Sequence, residues 1–136
     1  MRLLTLALTL FVTLAATAVA APPAGKYKGK IDYQGYEVTF TVKGGKVTKF
    51  RARMLQDCAG DGMSEQVIVA PDGGWRIRGN RVSGKKIETV DQTKATYVLE
   101  GRFSGGTFKG SIREYDYVDG VGIVCDTLKR TFTARR

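Results

Sequence analysis

The chain contains no histidine. That absence removes the commonest general base of enzymes, the usual zinc ligand and every nucleophile that depends on a Ser-His or Cys-His pair. Its two cysteines lie 67 positions apart, so no CxxC spacing suggests a metal or redox thiol. We therefore expect a protein that is not an enzyme, with no catalytic residues, no bound metal and no cofactor.

Long apolar stretches are scarce as well, and the one present stands at the N-terminus. Residues 3–14 form a nearly unbroken apolar run that follows Arg2 and precedes Ala18-Val19-Ala20, a small-residue cleavage site. The run is shorter than the roughly 20 residues that a membrane-spanning helix needs. This pattern predicts a signal peptide over residues 1–20 and a secreted or periplasmic protein, with a retained N-terminal anchor as the alternative.

Cleavage after Ala20 would leave 116 residues (136 minus 20), which is room for one domain. We expect residues 21–24 to be a disordered N-terminal tail and residues 25–136 to form a single domain. In an oxidising compartment an even number of cysteines favours a bridge, so Cys58 and Cys125 are predicted to form a disulfide.

Helix-forming residues become rare after the predicted signal peptide. Six of the nine leucines lie within it, whereas all 17 glycines and most of the valines, isoleucines and threonines lie beyond it. Branched side chains favour strands, and no ten-residue segment has a convincing apolar period of 3.6. The composition therefore predicts an all-β domain.

Alternation of apolar and polar residues locates the strands. Residues 36–42 and 48–54 alternate on either side of Gly44-Gly45, which is typical of a tight hairpin turn. Sequential hairpins of this kind predict an antiparallel eight- to nine-stranded barrel or barrel-like sandwich with one disulfide. The predicted strands are 25–33, 35–43, 46–54, 66–70, 75–79, 82–90, 95–103, 107–117 and 122–134.

The predicted domain opens on a glycine-aromatic-glycine strand, Gly25-Lys26-Tyr27-Lys28-Gly29, and a Gln-Gly step follows at Gln34-Gly35. It has a cysteine in mid-chain and ends on a cysteine-containing strand that finishes aromatic-x-Ala-Arg, at residues 132–135. In these segments the chain resembles a family of small secreted bacterial β-domains of unknown function. The resemblance implies the same fold and disulfide, and it carries over no catalytic residues.

Positive charge is the most distinctive property, with 22 Lys and Arg against 13 Asp and Glu. Cations alternate along two predicted strands and so share one face of each: Lys26, Lys28 and Lys30 on the first, and Lys49, Arg51 and Arg53 on the third. Such faces attract polyanions, which outside the cytoplasm are anionic cell-envelope polymers or lipids rather than nucleic acid. A further basic group lies at Arg76, Arg78, Arg81, Lys85 and Lys86.

We therefore expect a non-enzymatic binding domain that recognises anionic envelope components through a basic strand face. The competing interpretation is that these cations serve only solubility and edge protection. The alternative function is a carrier that holds a small ligand inside the barrel, where large aromatic residues such as Phe40 and Phe132 are expected. A calcium site near Asp57, Asp61 and Asp126 is a weaker alternative.

Overall fold

The computed structural model describes residues 18–136, so residues 1–17, which hold most of the predicted signal peptide, lie outside it. Residues 18–24 have no regular secondary structure, although Tyr27 Oη donates a 2.9 Å hydrogen bond to the carbonyl of Pro23. The rest of this range forms ten strands: β1 (Gly25–Ile31), β2 (Glu37–Lys43), β3 (Lys46–Cys58), β4 (Gly62–Val69), β5 (Trp75–Arg78), β6 (Arg81–Val90), β7 (Thr93–Ser104), β8 (Thr107–Val118), β9 (Gly122–Asp126) and β10 (Arg130–Arg135).

The strands form one antiparallel sheet in which eight close into a ring. The order around the ring is β10-β1-β2-β3-β5-β6-β7-β8, and pairing of β8 with β10 completes it. The two remaining strands lie off the ring. β4 pairs with the second half of β3, and β9 bridges the ends of β8 and β3. The prediction of an all-β, barrel-like antiparallel fold is confirmed.

Two differences from the predicted strands change the description of the fold. The predicted strand over 122–134 is two strands, because the chain leaves the sheet at Thr127 and Leu128, where Leu128 has a left-handed φ of 58°. β4 begins at Gly62, four residues before the predicted start, since β3 and β4 continue as a paired hairpin from Arg51–Val69 to Cys58–Gly62. The polar, glycine-containing segment around residue 60 is therefore a short turn between long strands.

Aromatic side chains fill the centre of the ring. The ring centroid of Phe40 lies 5.0–6.5 Å from the centroids of five other aromatic rings. Trp75 packs edge-on against Phe50 at 5.7 Å and belongs to the same core. Packing of this kind excludes water and stabilises the ring through burial of large apolar surfaces. The neighbours of Phe40 are Tyr27, Phe50, Phe103, Phe108 and Phe132.

Strand glycines allow the sheet to coil tightly around this core. A Cβ built on Gly29 would lie 1.9 Å from the carbonyl oxygen of Thr133, and one on Gly110 would lie 2.2 Å from that of Glu100. No side chain fits at either position, because the obstructing atoms belong to the backbone of a neighbouring strand. The alternation of glycines and aromatic residues in the sequence therefore reflects close strand contact around an aromatic core.

Cys58 at the end of β3 and Cys125 on β9 face each other in register and form the predicted disulfide. The bond ties β9 to β3, and its presence suggests an oxidising extracellular or periplasmic environment. Between residues 18 and 136, none of the structure is a helix with the length and apolar character required to cross a membrane.

Candidate functional site

The two predicted cationic strand faces lie on the outside of the ring. Lys26, Lys28 and Lys30 are exposed on β1, where they alternate with buried Tyr27 and Ile31. On β3, Lys49, Arg51 and Arg53 are also exposed. Lys49 has a φ of 50° at a β-bulge, and Arg53 pairs with Glu65 at 3.3 Å.

β2 separates these two faces, so they do not form one continuous cationic patch. Thr39 stands between Lys28 on β1 and Arg51 on β3, and Glu37 lies opposite Lys30. The faces share an outer surface, with threonine and glutamate residues between them.

A longer row of cations runs around the other side of the ring. Arg78 on β5 is in register with Arg81 on β6, Arg81 with Arg102 on β7, and Arg102 with Lys109 on β8. All four side chains are exposed. Neighbouring strands lie about 5 Å apart, so the row presents one positive charge about every 5 Å around the ring. No acidic residue lies between them in the register.

The row continues to the predicted residues of β1. Lys109 pairs with Thr133 on β10, and Thr133 pairs with Lys30. Two residues before Lys30 on β1, Lys28 lies opposite Arg135. The β1 lysines therefore mark one end of a band that crosses six of the eight ring strands.

Like charges meet repeatedly on this outer surface. Among residues 18–136, six registered cross-strand pairs join two cations, whereas one, Lys30–Glu37, joins opposite charges. Like charges directly opposite each other destabilise a sheet, and a surface that serves only solubility intersperses the two signs. The six pairs are Lys28–Arg135, Lys43–Lys46, Lys46–Arg76, Arg78–Arg81, Arg81–Arg102 and Arg102–Lys109.

Acidic side chains do not neutralise this band. The four ion pairs found among residues 18–136 use other cations, namely Arg53, Lys94, Arg113 and Lys129. Glu100, the acid nearest the middle of the band in the register, is bound by Lys129 at 2.7 Å. The band therefore keeps its positive charge exposed to solvent.

Three clefts that share lining residues follow the cationic band, and we name them together the basic groove. A cleft of about 650 Å³ lies between the β4–β5 turn and β6. It shares Arg81 and Ser83 with a cleft of about 350 Å³, which shares Lys109 with a third of about 460 Å³. The one acid in this lining, Asp32, accepts a 2.7 Å hydrogen bond from Thr131 Oγ1. The cations that line the groove are Lys28, Lys30, Lys46, Arg76, Arg78, Arg81, Lys85, Lys86, Arg102, Lys109 and Arg135.

A second polar cluster lies at the opposite end of the ring, beside the disulfide. Gln56 Nε2 donates a 2.6 Å hydrogen bond to Glu114 Oε2, and both side chains are buried. Burial and the adjacent Asp116 carboxylate raise the pKa of Glu114 to about 8, against the opposing effect of the Gln56 hydrogen bond. The side-chain oxygen of Thr127 bonds to both the N–H and the carbonyl of Glu114, which joins this cluster to the β9–β10 connection.

Two other acids at that end are held by cations. Asp119 pairs with Lys94, and Asp126 receives two hydrogen bonds from the Arg113 guanidinium and one from the N–H of Leu128. Burial opposes ionisation of Asp126, but these bonds outweigh burial and lower the pKa of the carboxyl. Among residues 18–136, no three His, Cys, Asp or Glu side chains are grouped so that they could hold a metal ion. Asp119 and Asp126 therefore serve as partners in structural ion pairs.

The interior aromatic residues occupy the space that a carried ligand would need. Phe40, Phe50, Phe108 and Phe132 are each at most 1% exposed and pack against one another. Tyr36, at the start of the alternating segment 36–42, is only partly buried at the edge of the core. This packing favours the outer surface over the interior as the place where a ligand binds.

Sequence reasoning identified the cations of β1, β3, β5 and β6 but did not include Arg102, Lys109 or Arg135 in a site. A usable signal was present for two of them. Ser104-Gly105-Gly106 makes a hairpin turn, and counting outward from it places Arg102 opposite Lys109. The third residue meets β1 only because the last strand closes the ring, and no local pattern reports that contact.

No family model, curated protein or solved structure matches this chain. The resemblance to small secreted bacterial β-domains therefore stays a prediction.

Proposed function

We propose that this protein is a non-enzymatic binding domain that holds a linear anionic polymer of the cell envelope in the basic groove. The observation that carries the proposal is the uninterrupted row Arg78–Arg81–Arg102–Lys109. Cross-strand repulsion within the row opposes folding, so a ligand that neutralises it gains the relief of that repulsion as well as direct ion pairing.

The curvature of the groove favours a polymer over a flat membrane as the partner. The cationic band crosses six strands of a closed ring of eight, so its charges point in widely different directions around the molecule. A planar lipid surface reaches one side of such a ring at a time. A flexible chain can follow the band and contact Arg78 at one end and Lys28 at the other.

The predicted signal peptide and the disulfide both support a location where envelope polymers are present. Outside the cytoplasm the abundant polyanions are envelope polymers and lipids, and nucleic acid is scarce. The role of Lys26, Lys28 and Lys30 in this proposal is to extend the groove at its β1 end. Lys49, Arg51 and Arg53 lie beyond β2 and are assigned a peripheral part.

The test is a salt series of binding to dextran sulfate, a linear polyanion without phosphate groups. Affinity should fall steeply as sodium chloride rises, because binding releases condensed counterions. Replacing both Arg102 and Lys109 by Gln should weaken binding. It should also reduce the slope of log affinity against log salt by about 0.7 to 0.9 for each charge removed.

Lys94→Gln is the matched control for Lys109→Gln. It removes the same charge from an ion-paired lysine at the far end of the same hairpin. If the two single variants weakened dextran sulfate binding equally, binding would depend only on net charge. The proposal that the polymer binds in the basic groove would then be rejected. Salt-sensitive binding to vesicles that contain phosphatidylglycerol, without binding to dextran sulfate, would identify a lipid surface as the partner instead.

A further inference from the structure

The end of the basic groove at β5 and β6 differs from the rest in its charge. Six cationic side chains and no acidic one line this cleft, the largest of the three at about 650 Å³. The β1 end has four cations together with Asp32, and the middle section has three cations. This end of the groove therefore has the largest number of cations and the highest net positive charge of the three clefts. The six cations are Lys46, Arg76, Arg78, Arg81, Lys85 and Lys86.

These cations reach the cleft from both faces of the sheet. Arg76 and Lys85 occupy outward positions on β5 and β6 and are exposed. Lys86 occupies an inward position in register with buried Tyr97, and it is itself only partly exposed. Its Nζ extends to the β4–β5 turn, where a Cβ built on Gly73 would lie 3.7 Å away. The cleft thus surrounds a bound group with positive charge on more than one side.

The backbone around the cleft also suits an anion. Within residues 18–136, β5 and β6 pair only at Ile77–Val82 and Arg78–Arg81. Beyond Val82, the side of β6 that faces β5 therefore has no partner strand. An unpaired edge offers backbone N–H donors. The carbonyl of Gly84, which would repel an anion, instead accepts a 3.1 Å hydrogen bond from Trp75 Nε1. A Cβ built on Gly84 would lie 3.1 Å from Trp75 Cδ1, so the lack of a side chain at Gly84 lets the indole pack close to β6.

We propose that this cleft binds a phosphomonoester or diphosphate group, the dianionic end of an anionic envelope molecule. None of its six cations takes part in an ion pair among residues 18–136. A phosphomonoester carries close to two negative charges at neutral pH and three strong acceptor oxygens, so it satisfies several cations at once. Lysine ammonium groups and arginine forks both bind such oxygens.

The inference rests on the proposed function, because the cleft is the end of the same groove. It adds a chemical class that a uniform polyanion surface would not select. A phosphodiester, sulfate ester or carboxylate along a chain brings one negative charge per group, whereas the cleft concentrates enough cations to prefer a group with two.

The test is isothermal titration calorimetry of the oxidised protein with inorganic pyrophosphate, and with sodium methyl sulfate, a singly charged sulfate ester, at equal ionic strength. Pyrophosphate should bind saturably with one site and more tightly than methyl sulfate. Lys86→Gln and Lys85→Gln should each weaken pyrophosphate binding by about tenfold. Lys109→Gln, which removes the same charge outside the cleft, should change it by less than about twofold. Lys85 is exposed, so its variant tests the cleft even if the Lys86 variant does not fold.

Absence of saturable pyrophosphate binding, or equal losses in the Lys85 and Lys109 variants, would overturn the inference. Dextran sulfate binding by the same sample separates the two proposals. If the polymer still binds, only the end-group site is wrong, and if neither ligand binds, the groove itself is wrong. Vesicles with phosphatidic acid, compared with a soluble phosphomonoester, then show whether the group comes from a lipid or from a polymer end.

Discussion

Gln56 on β3 and Glu114 on β8 are joined across the ring by a 2.6 Å hydrogen bond, and both are less than 10% exposed. The charge of the nearby Asp116 carboxylate helps to raise the pKa of Glu114, and Tyr97 lies directly opposite Glu114 in the register. The charge of Asp126 also raises the pKa of Glu114, but Asp126 is already paired with Arg113. A second negative charge here would face Asp116 without a cation of its own, so the buried Glu114 keeps its proton at neutral pH.

The resulting prediction is a loss of stability as pH rises. The pKa of Glu114 is about 8 in the folded protein and 4.5 ordinarily, so the folded state binds its proton more tightly. The stabilisation is complete below about pH 4.5 and is lost as pH rises to about 8, at about 1.4 kcal/mol per pH unit in that window. Glu114→Gln preserves the acceptor for Gln56 and should remove this dependence. Urea denaturation across the window measures it, and parallel curves for the two proteins would contradict it.

Charge reversal at Arg102 should raise stability and lower polyanion binding together. Arg102→Glu converts the pairs with Arg81 and Lys109 from repulsive to attractive, and each cross-strand pair is worth roughly 0.2–1 kcal/mol. The gain should be largest at low ionic strength and should shrink as salt screens the charges. Thermal melts and dextran sulfate binding of the same samples check both effects.

Lys129→Glu is the comparison for that variant. It breaks the ion pair with Glu100 and places two acids together, so it should lower stability slightly while removing a cation outside the groove. If Arg102→Glu also lowered stability, the cation row would not be repulsive, and the functional argument from its energetic cost would fail.

Opening the disulfide should cost up to about 4 kcal/mol of unfolding free energy, because the bridge closes a loop of 67 residues. The local effect should concentrate on β9, which is held between β8 and the end of β3. Hydrogen exchange should therefore accelerate over Gly122–Asp126 more than over β10 in the Cys58→Ser/Cys125→Ser double variant. Uniform acceleration across both strands would show that the bridge stabilises the whole ring equally.

Gly29→Ala should destabilise the protein by several kcal/mol or prevent folding. The added Cβ would lie 1.9 Å from the Thr133 carbonyl oxygen, and relief of that contact requires β1 to separate from β10. Gly106→Ala is the control, since its Cβ would have a normal 3.7 Å contact with Arg136. We expect it to stay within about 0.5 kcal/mol of the unaltered protein, as surface substitutions usually do. Similar midpoints for the two variants would refute the role given to Gly29.

The local pattern of the sequence accounts for much of the fold. Alternation from Tyr36 to Val42 and the Gly44-Gly45 turn define the first full hairpin, because side-chain period and turn chemistry are properties of neighbouring residues. The same reasoning failed at Leu128, whose left-handed backbone interrupts a segment that alternates like one strand. Hydrogen bonds between the Thr127 side chain and the backbone of Glu114, a residue 13 positions away, stabilise this interruption.

The sequence by itself determined the all-β class, the pairing of the two cysteines and the outward direction of the cations on β1 and β3. Each of these follows from composition or from the two-residue period of a strand. Only the tertiary structure decided that Lys28 faces Arg135 and that the cation row continues from Lys109 through Thr133 to Lys30. Those contacts depend on the ring closing between the first and last strands, and closure is set by the packing of the aromatic core around Phe40 rather than by any local signal.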